Sequence, residues 1–265
     1  MPQNRYYFIK KRIKKTKISK FKSIILSFCL ILVSLLFVLN ASDLFSSIIT
    51  NTGSLFSSKK IEVASYNIYA VSIADFDNQI QANQMAGQVV NMGGAGVVYN
   101  RGEYFVFTSS YPTLDCAQEV SQNLKDLGYK SKIITLNIDS ISFEYKGKNS
   151  DAILECFQIF KKCYLDLYDL SVAFDKLQCD YTEVNSKILL KQKVISQIGL
   201  KLSNTAQELK IKDICQTRLT NLSNLLNIAI KTANSNNNYT SNLKQVLIKL
   251  AILNQEFVKQ VNSVK

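Results

Sequence analysis

The sequence predicts an α+β protein with an N-terminal transmembrane helix, a β-α-β-β-α-β domain and a C-terminal helical bundle. Three patterns in the 265 residues lead to this prediction. First, an uncharged apolar run follows a basic tail. Second, a segment with the pattern of a strand and a helix occurs twice. Third, apolar residues recur at helical spacing beyond residue 149.

Residues 1–22 form a basic tail that we expect to be cytoplasmic. Nine Lys and Arg residues lie in this tail, out of a net charge of +12 for the whole chain. The sequence IILSFCLILVSLLFVL, Ile24 to Leu39, has no charge, and residues 23–42 reach the ~20 residues that a membrane-spanning helix needs. Basic residues on the N-terminal side favour a cytoplasmic N-terminus. The sequence therefore predicts a single-pass protein of the cell membrane with extracytoplasmic C-terminal domains.

A cleaved signal peptide is the alternative to this anchor, but VLNAS lacks a good small-x-small cleavage site. Residues 43–62 are rich in Ser and Thr and are predicted to be a linker. Because the basic charge is concentrated in the tail, no nucleic-acid partner is expected.

The chemistry available to the chain is limited. It contains no histidine, the commonest general base and metal ligand. Apart from Cys29, the cysteines are odd in number and lack C-x-x-C spacing: Cys116, Cys156, Cys163, Cys179 and Cys215. Carboxylates such as Glu103 and Asp115 show no recognisable acid/base pairing. We therefore expect no metal, no cofactor and no enzymatic activity, with most cysteines acting as small buried apolar residues.

A segment beginning near Val71 recurs 35 residues later. Both copies contain an aromatic residue, an alanine six positions on and a glycine eleven positions after that: Phe76, Ala82 and Gly93, then Tyr111, Ala117 and Gly128. Each copy predicts a strand, a helix and a second strand. Asp77 or Asn78 and Thr113 are candidate helix caps, and each glycine stands where a helix would end in a left-handed C-cap. Two such units form a four-stranded sheet with both helices on one face.

The segments YAVSIADFDNQIQA and YFVFTSSYPTLDCA resemble the SPOR domain, the sporulation-related repeat of bacterial envelope proteins. The resemblance covers about residues 64–137, within a predicted SPOR-like domain of residues 63–140. It implies binding of peptidoglycan glycan strands, preferably those stripped of stem peptides, without catalysis. The setting it implies is cell division, sporulation or envelope maintenance.

The chain departs from the family pattern at several positions. Ser72 stands where Gln is common, Ala74 and Ser109 replace glycines, and Phe105 replaces a basic residue. The alternative function is therefore a protein docking or scaffold module that has lost glycan binding.

Strand alternation predicts where a glycan would bind. If Val71, Ile73, Val106 and Thr108 face the two helices, the neighbouring residues face the opposite, open side of the sheet. Phe105 and Phe107 would then form a platform for sugar rings. The candidate hydrogen-bonding residues at its rim are Ser72, Asp75, Tyr99 and Arg101. The alternative is that the C-terminal helices cover this face and bury both rings.

Residues 150–265 are predicted to be helical. Apolar residues recur at steps of three and four from Ile153 to Phe174 and again to Leu202, with Asp180 as a candidate break. Further helices are predicted at about 205–232 and 241–262. An intramolecular bundle is favoured over a dimeric coiled coil because short loops join the segments. We expect these helices to engage an unidentified envelope protein or to oligomerise.

Overall fold

The computed structural model describes residues 59–145, 150–204, 210–232 and 239–264. Within these residues the fold is α+β, with six helices and two sheets. The sheet and the C-terminal helices share one apolar core, in which Ala70, Phe107 and Leu136 of the sheet pack with Phe257 and other helical residues.

The membrane prediction requires correction. The predicted transmembrane helix, residues 23–42, and the basic tail lie outside the described residues. Within the described part of the chain, no helix combines the length and the apolar character needed to cross a bilayer. The long helices found there carry charged residues interspersed with the apolar residues that face the core. The fold class that included a transmembrane helix and the single-pass localisation are therefore not supported.

The main sheet has four antiparallel strands: β2 (Tyr66–Phe76), β3 (Val97–Asn100), β4 (Tyr104–Tyr111) and β5 (Lys132–Ile138). Their order is β3-β4-β2-β5, so the strands of the two β-α-β units interleave. Helices α1 (Gln79–Asn91) and α2 (Leu114–Asp126) pack against this sheet. Ile73 and Val106 of the strands meet Ala82, Ala86 and Val89 of α1 in a small core on this face, as strand alternation predicts.

Both helices of the duplicated unit end in the same way. Gly93 and Gly128 have φ of 84° and 88°. The N–H of Gly93 donates to Val90 O at 3.0 Å and that of Gly94 to Val89 O at 2.9 Å; Gly128 and Tyr129 repeat this pattern at the end of α2. These are Schellman motifs, which require a left-handed residue that glycine adopts without a steric penalty. At the start of α1, the Asn78 side chain accepts a hydrogen bond from the N–H of Ile80 at 2.7 Å.

A second sheet has two strands. β1 (Lys59–Val63) pairs antiparallel with β6 (Ile141–Tyr145), and Ile61 and Ile141 are buried. β1 includes residues 59–62, which the sequence analysis assigns to the linker.

Four helices follow: α3 (Ser150–Asp175), α4 (Tyr181–Ser203), α5 (Lys210–Thr232) and α6 (Tyr239–Asn262). Asp180 separates α3 from α4 and caps α4 by accepting a hydrogen bond from the N–H of Glu183 at 2.8 Å. α6 packs against α3, α5 and the sheet. The Phe257 ring lies 4.9 Å from that of Phe157 and 5.0 Å from that of Phe160, measured between centroids.

Candidate functional site

The two phenylalanines of the predicted platform are buried. Phe107 is 0% exposed and Phe105 is 8% exposed. Both belong to the core formed with the C-terminal helices, and α6 packs against β3, β4 and β5 on this side of the sheet. The exposed platform is therefore not present in this structure. The apolar face attracts α6 because removing large aromatic surfaces from water is favourable.

Ser72 is also internal, at 1% exposure. Its Oγ lies 2.7 Å from the carbonyl oxygen of Ala74 and 3.3 Å from that of Val106. The pairing of β2 with β4 shifts register between Val71 and Ala74, and the Ser72 hydroxyl supplies a local hydrogen bond at this irregularity. Ser72 is therefore occupied within the sheet and does not face a ligand.

The remaining predicted residues meet at one end of the sheet, where a short turn joins β3 to β4. Phe105 of β4 pairs with Tyr99 of β3 on one side and with Asp75 of β2 on the other. We call the group at this end the hairpin-end cluster. Its members are Asp75, Tyr99, Arg101, Glu103, Phe105 and Lys132.

Lys132 contacts three other members of this cluster. It is not among the site residues predicted from the sequence. Its Nζ lies 3.0 Å from Asp75 Oδ2, 3.9 Å from Glu103 Oε2 and 5.8 Å from the centroid of the Phe105 ring. The hydrogen bond to Asp75 raises the pKa of Lys132. Lys132 is the first residue of β5 and pairs with Ser72 of β2. Arranging the predicted strands as an interleaved sheet would have placed these two residues on the same face.

Arg101 and Tyr99 give the cluster its outer polar surface. Arg101 is exposed, and its backbone N–H donates to Glu103 O at 2.9 Å across a turn in which Gly102 has φ of 87°. Tyr99 is half-buried, and its ring stacks on Phe107 at 5.4 Å. The cluster can therefore present a guanidinium, an ammonium, carboxylates and a phenol to the hydroxyl groups of a ligand.

Comparison with known proteins gives little further information. No family model and no curated protein matches the chain. Among solved structures, 28% of this chain matches 94% of the peptidoglycan binding domain of the B. subtilis cell wall lytic enzyme CwlC, with 23% identity and a TM-score of 0.25. This likeness identifies no family. At such a TM-score, the match supports no argument about the present chain.

Proposed function

We propose that this protein binds the glycan strands of peptidoglycan without hydrolysing them. The observation that carries the proposal is the duplicated unit. The two segments that resemble the SPOR repeat fold into interleaved β-α-β units with both helices on one face and with the same Schellman motif after each helix. The setting that the resemblance implies is cell division, sporulation or envelope maintenance.

The hairpin-end cluster is the surface that we assign to this binding. Arg101 and Tyr99 can donate hydrogen bonds to sugar hydroxyls, and the Asp75 and Glu103 carboxylates can accept them. Phe105 and Phe107 support Tyr99 and Lys132 from beneath and do not themselves contact the glycan.

Co-sedimentation of the full chain with purified peptidoglycan tests the proposal, with peptidoglycan used before and after an amidase has removed its stem peptides. The full chain is needed because residues 60–140 alone would expose Phe107. We expect binding that increases after amidase treatment. The double variant Tyr99→Ala with Arg101→Ala should bind less, while Lys193→Ala, at an exposed position on α4, should bind normally. Failure of the wild-type chain to bind either preparation would refute the proposal.

The geometry of the cluster supports binding without catalysis. Glycoside hydrolysis by two carboxyl groups needs a water or a sugar oxygen between them. The Lys132 ammonium lies 3.0 Å from the Asp75 carboxylate and 3.9 Å from the Glu103 carboxylate, so the same cation engages both. We expect no release of soluble sugar when the full chain is incubated with peptidoglycan, and such a release would contradict this part of the proposal.

A protein-docking module is the second candidate. Two observations favour it: α6 covers the sheet face that carries Phe107, and α4 exposes four aliphatic side chains, Leu189, Leu190, Val194 and Leu200. On this alternative the sheet has become a scaffold for the helices. Absence of glycan binding by the wild-type chain is the result that would favour it.

A further inference from the structure

A pocket of about 220 Å³ lies at the end of the sheet opposite the hairpin-end cluster. It is formed where the first residues of β2 meet α3. Eight residues line it: the half-buried Tyr66, Tyr69 and Pro112, the exposed Asn67, Lys161 and Leu165, and the buried Ile68 and Tyr164. We call it the β2-edge pocket.

The pocket exists because β2 extends beyond its neighbour β4. The pairing of these strands begins at Tyr69 opposite Tyr111, whereas the pairing of β2 with β5 begins earlier, at Tyr66 opposite Ile138. Residues 66–68 therefore have a paired strand on the β5 side alone. Pro112 follows β4 directly and cannot donate a backbone hydrogen bond that would extend the ladder. The result is a short backbone edge bordered by two half-buried tyrosines, Tyr66 and Tyr69.

This composition suits a sugar ring better than an extended peptide. Sugar rings present C–H faces that pack on aromatic rings, and their hydroxyl and acetamido groups hydrogen-bond to amides and exposed backbone. A peptide that adds a strand to a sheet needs a longer row of backbone groups than three residues offer.

Lys161 gives the pocket a charge preference. Its Nζ lies 4.7 Å from the centroid of the Tyr66 ring, which holds the ammonium at the pocket wall. Within the described part of the chain, no carboxylate lies within ion-pair distance of this Nζ, in contrast to Lys191 and Lys201, which pair with Asp166 and Glu155. The ammonium is therefore available to an anionic group of a ligand.

We propose that the β2-edge pocket binds an N-acetylmuramic acid unit, with Lys161 pairing with the carboxylate of its lactyl group. This inference rests on the proposed function. In intact peptidoglycan the lactyl carboxyl is joined to the stem peptide through an amide bond and carries no charge. Removal of the peptide frees the carboxylate, so Lys161 makes the pocket selective for stripped glycan.

The pocket and the hairpin-end cluster are separate contact points. Asp75 lies nine positions after Tyr66 on β2, which at roughly 3.3 Å per residue places them about 30 Å apart. Variants at one end can therefore be examined while the other end remains intact.

The test compares Lys161→Ala with Lys162→Ala in the full chain. Both lysines are exposed on α3, and Lys162 does not line the pocket. The probes are amidase-treated peptidoglycan, untreated peptidoglycan and chitin, which consists of N-acetylglucosamine and has no lactyl group. Lys161→Ala should weaken binding to the amidase-treated material by about three- to tenfold, as expected for loss of a charge-assisted contact. Lys161→Arg should retain most of the binding, and the affinity of Lys161→Ala should depend less on salt concentration.

The outcomes separate this inference from the proposed function. If the wild-type chain binds stripped glycan and Lys161→Ala behaves like Lys162→Ala, the subsite is refuted while glycan binding stands. If an isolated stem peptide competes with glycan for the wild-type chain but not for Lys161→Ala, the pocket binds a peptide. That result would also refute the subsite. If the wild-type chain binds no peptidoglycan, both the inference and the proposed function fail. If Lys161→Ala loses as much affinity for chitin as for amidase-treated peptidoglycan, recognition of the carboxylate is refuted, because chitin has no lactyl group.

Discussion

The hydroxyl of Ser241, in the first turn of α6, donates a hydrogen bond to the carbonyl oxygen of Val90, in the last turn of α1, at 2.9 Å. Further side chains of α6 continue this connection along the sheet. Gln245 Nε2 contacts Ala95 O at 3.5 Å, Gln255 Nε2 donates to Asn137 O at 3.0 Å and Asn262 Nδ2 donates to Ser140 O at 3.2 Å. α6 is therefore held by polar contacts at both ends as well as by the buried apolar residues between them.

The connection between α1 and β3 requires glycine at position 96. Gly96 has φ of 61°, and a Cβ there would lie 2.5 Å from the carbonyl oxygen of Ala86. We expect Gly96→Ala to lower the free energy of unfolding by about 3 kcal/mol, from left-handed strain and the clash with backbone. Gly87→Ala on α1 is the matched control, because its Cβ would meet nothing within 4 Å, and it should raise the free energy of unfolding by about 0.5–1 kcal/mol. Urea unfolding measures both, and equal effects would contradict this account.

The end of α3 offers a stabilising change. Leu177 occupies the left-handed position of a Schellman motif with φ of 56° and is 90% exposed. Leu177→Gly should raise the free energy of unfolding by about 1 kcal/mol, because glycine has no Cβ to strain there. Leu127 is likewise exposed at the end of α2, but its φ is −82°. Leu127→Gly should therefore lower thermal stability, and a gain in both variants would contradict the strain argument.

Local features of this fold can be predicted from the sequence. The glycines at 93 and 128 predict where α1 and α2 end, because their left-handed φ is a property of a few consecutive residues. The apolar spacing of Ile153, Phe157 and Phe160 predicts a buried helix face, and Asp180 predicts the separation of α3 from α4.

Non-local features could not be predicted in this way. The pairing of Ile61 with Phe143 joins strands far apart in the chain. β6, ISFEY, alternates apolar and polar residues, but alternation indicates a strand without indicating its partner. Alternation correctly placed Phe105 and Phe107 opposite α1, but no local pattern reveals that α6 covers that face. The local shift in register around Ser72 likewise depends on the position of β4.

Three cysteines should resist labelling in the folded protein. Cys156, Cys163 and Cys215 are 0% exposed, and burial raises the pKa of Cys163 to about 12. At pH 8 only about one Cys163 thiol in ten thousand would be the reactive thiolate. A thiol reagent followed by peptide mapping should modify these three only after denaturation, whereas Cys116 and Cys179, which are half-buried, should react sooner. Labelling of Cys163 as fast as Cys116 in the native protein would contradict the buried placement.

Stability should fall at alkaline pH. Burial raises the pKa of Tyr164 above its ordinary value of 10.0, and the same cause raises the pKa of Tyr66 and Tyr239. Above pH 10 the unfolded chain releases these protons while the folded chain retains them, so the free energy of unfolding decreases by about 1.4 kcal/mol per pH unit for each such group. This stabilisation is complete below pH 10 and is lost as the pH rises.

Tyr164→Phe isolates one of these groups. At pH 7 the variant should lose about 1 kcal/mol, because the Tyr164 hydroxyl donates to Ser110 Oγ at 3.0 Å. Between pH 10 and 12, however, its free energy of unfolding should decline less steeply than that of the wild type. Urea unfolding at a series of pH values measures the slope, and parallel slopes would show that Tyr164 ionises normally in the folded state.

The contacts of α6 allow a direct test of which sheet surface binds glycan. If the hairpin-end cluster and the β2-edge pocket bind, the face beneath α6 takes no part, and loosening the helix should not change affinity. Ser241→Ala with Gln255→Ala removes one hydrogen bond from each end of α6 and should lower the free energy of unfolding by about 2 kcal/mol without altering co-sedimentation with amidase-treated peptidoglycan. Gln197→Ala, at an exposed position on α4, serves as the control. Binding that strengthens in the double variant would mean that α6 competes with glycan for the face carrying Phe107, and that this face, once uncovered, is the binding surface.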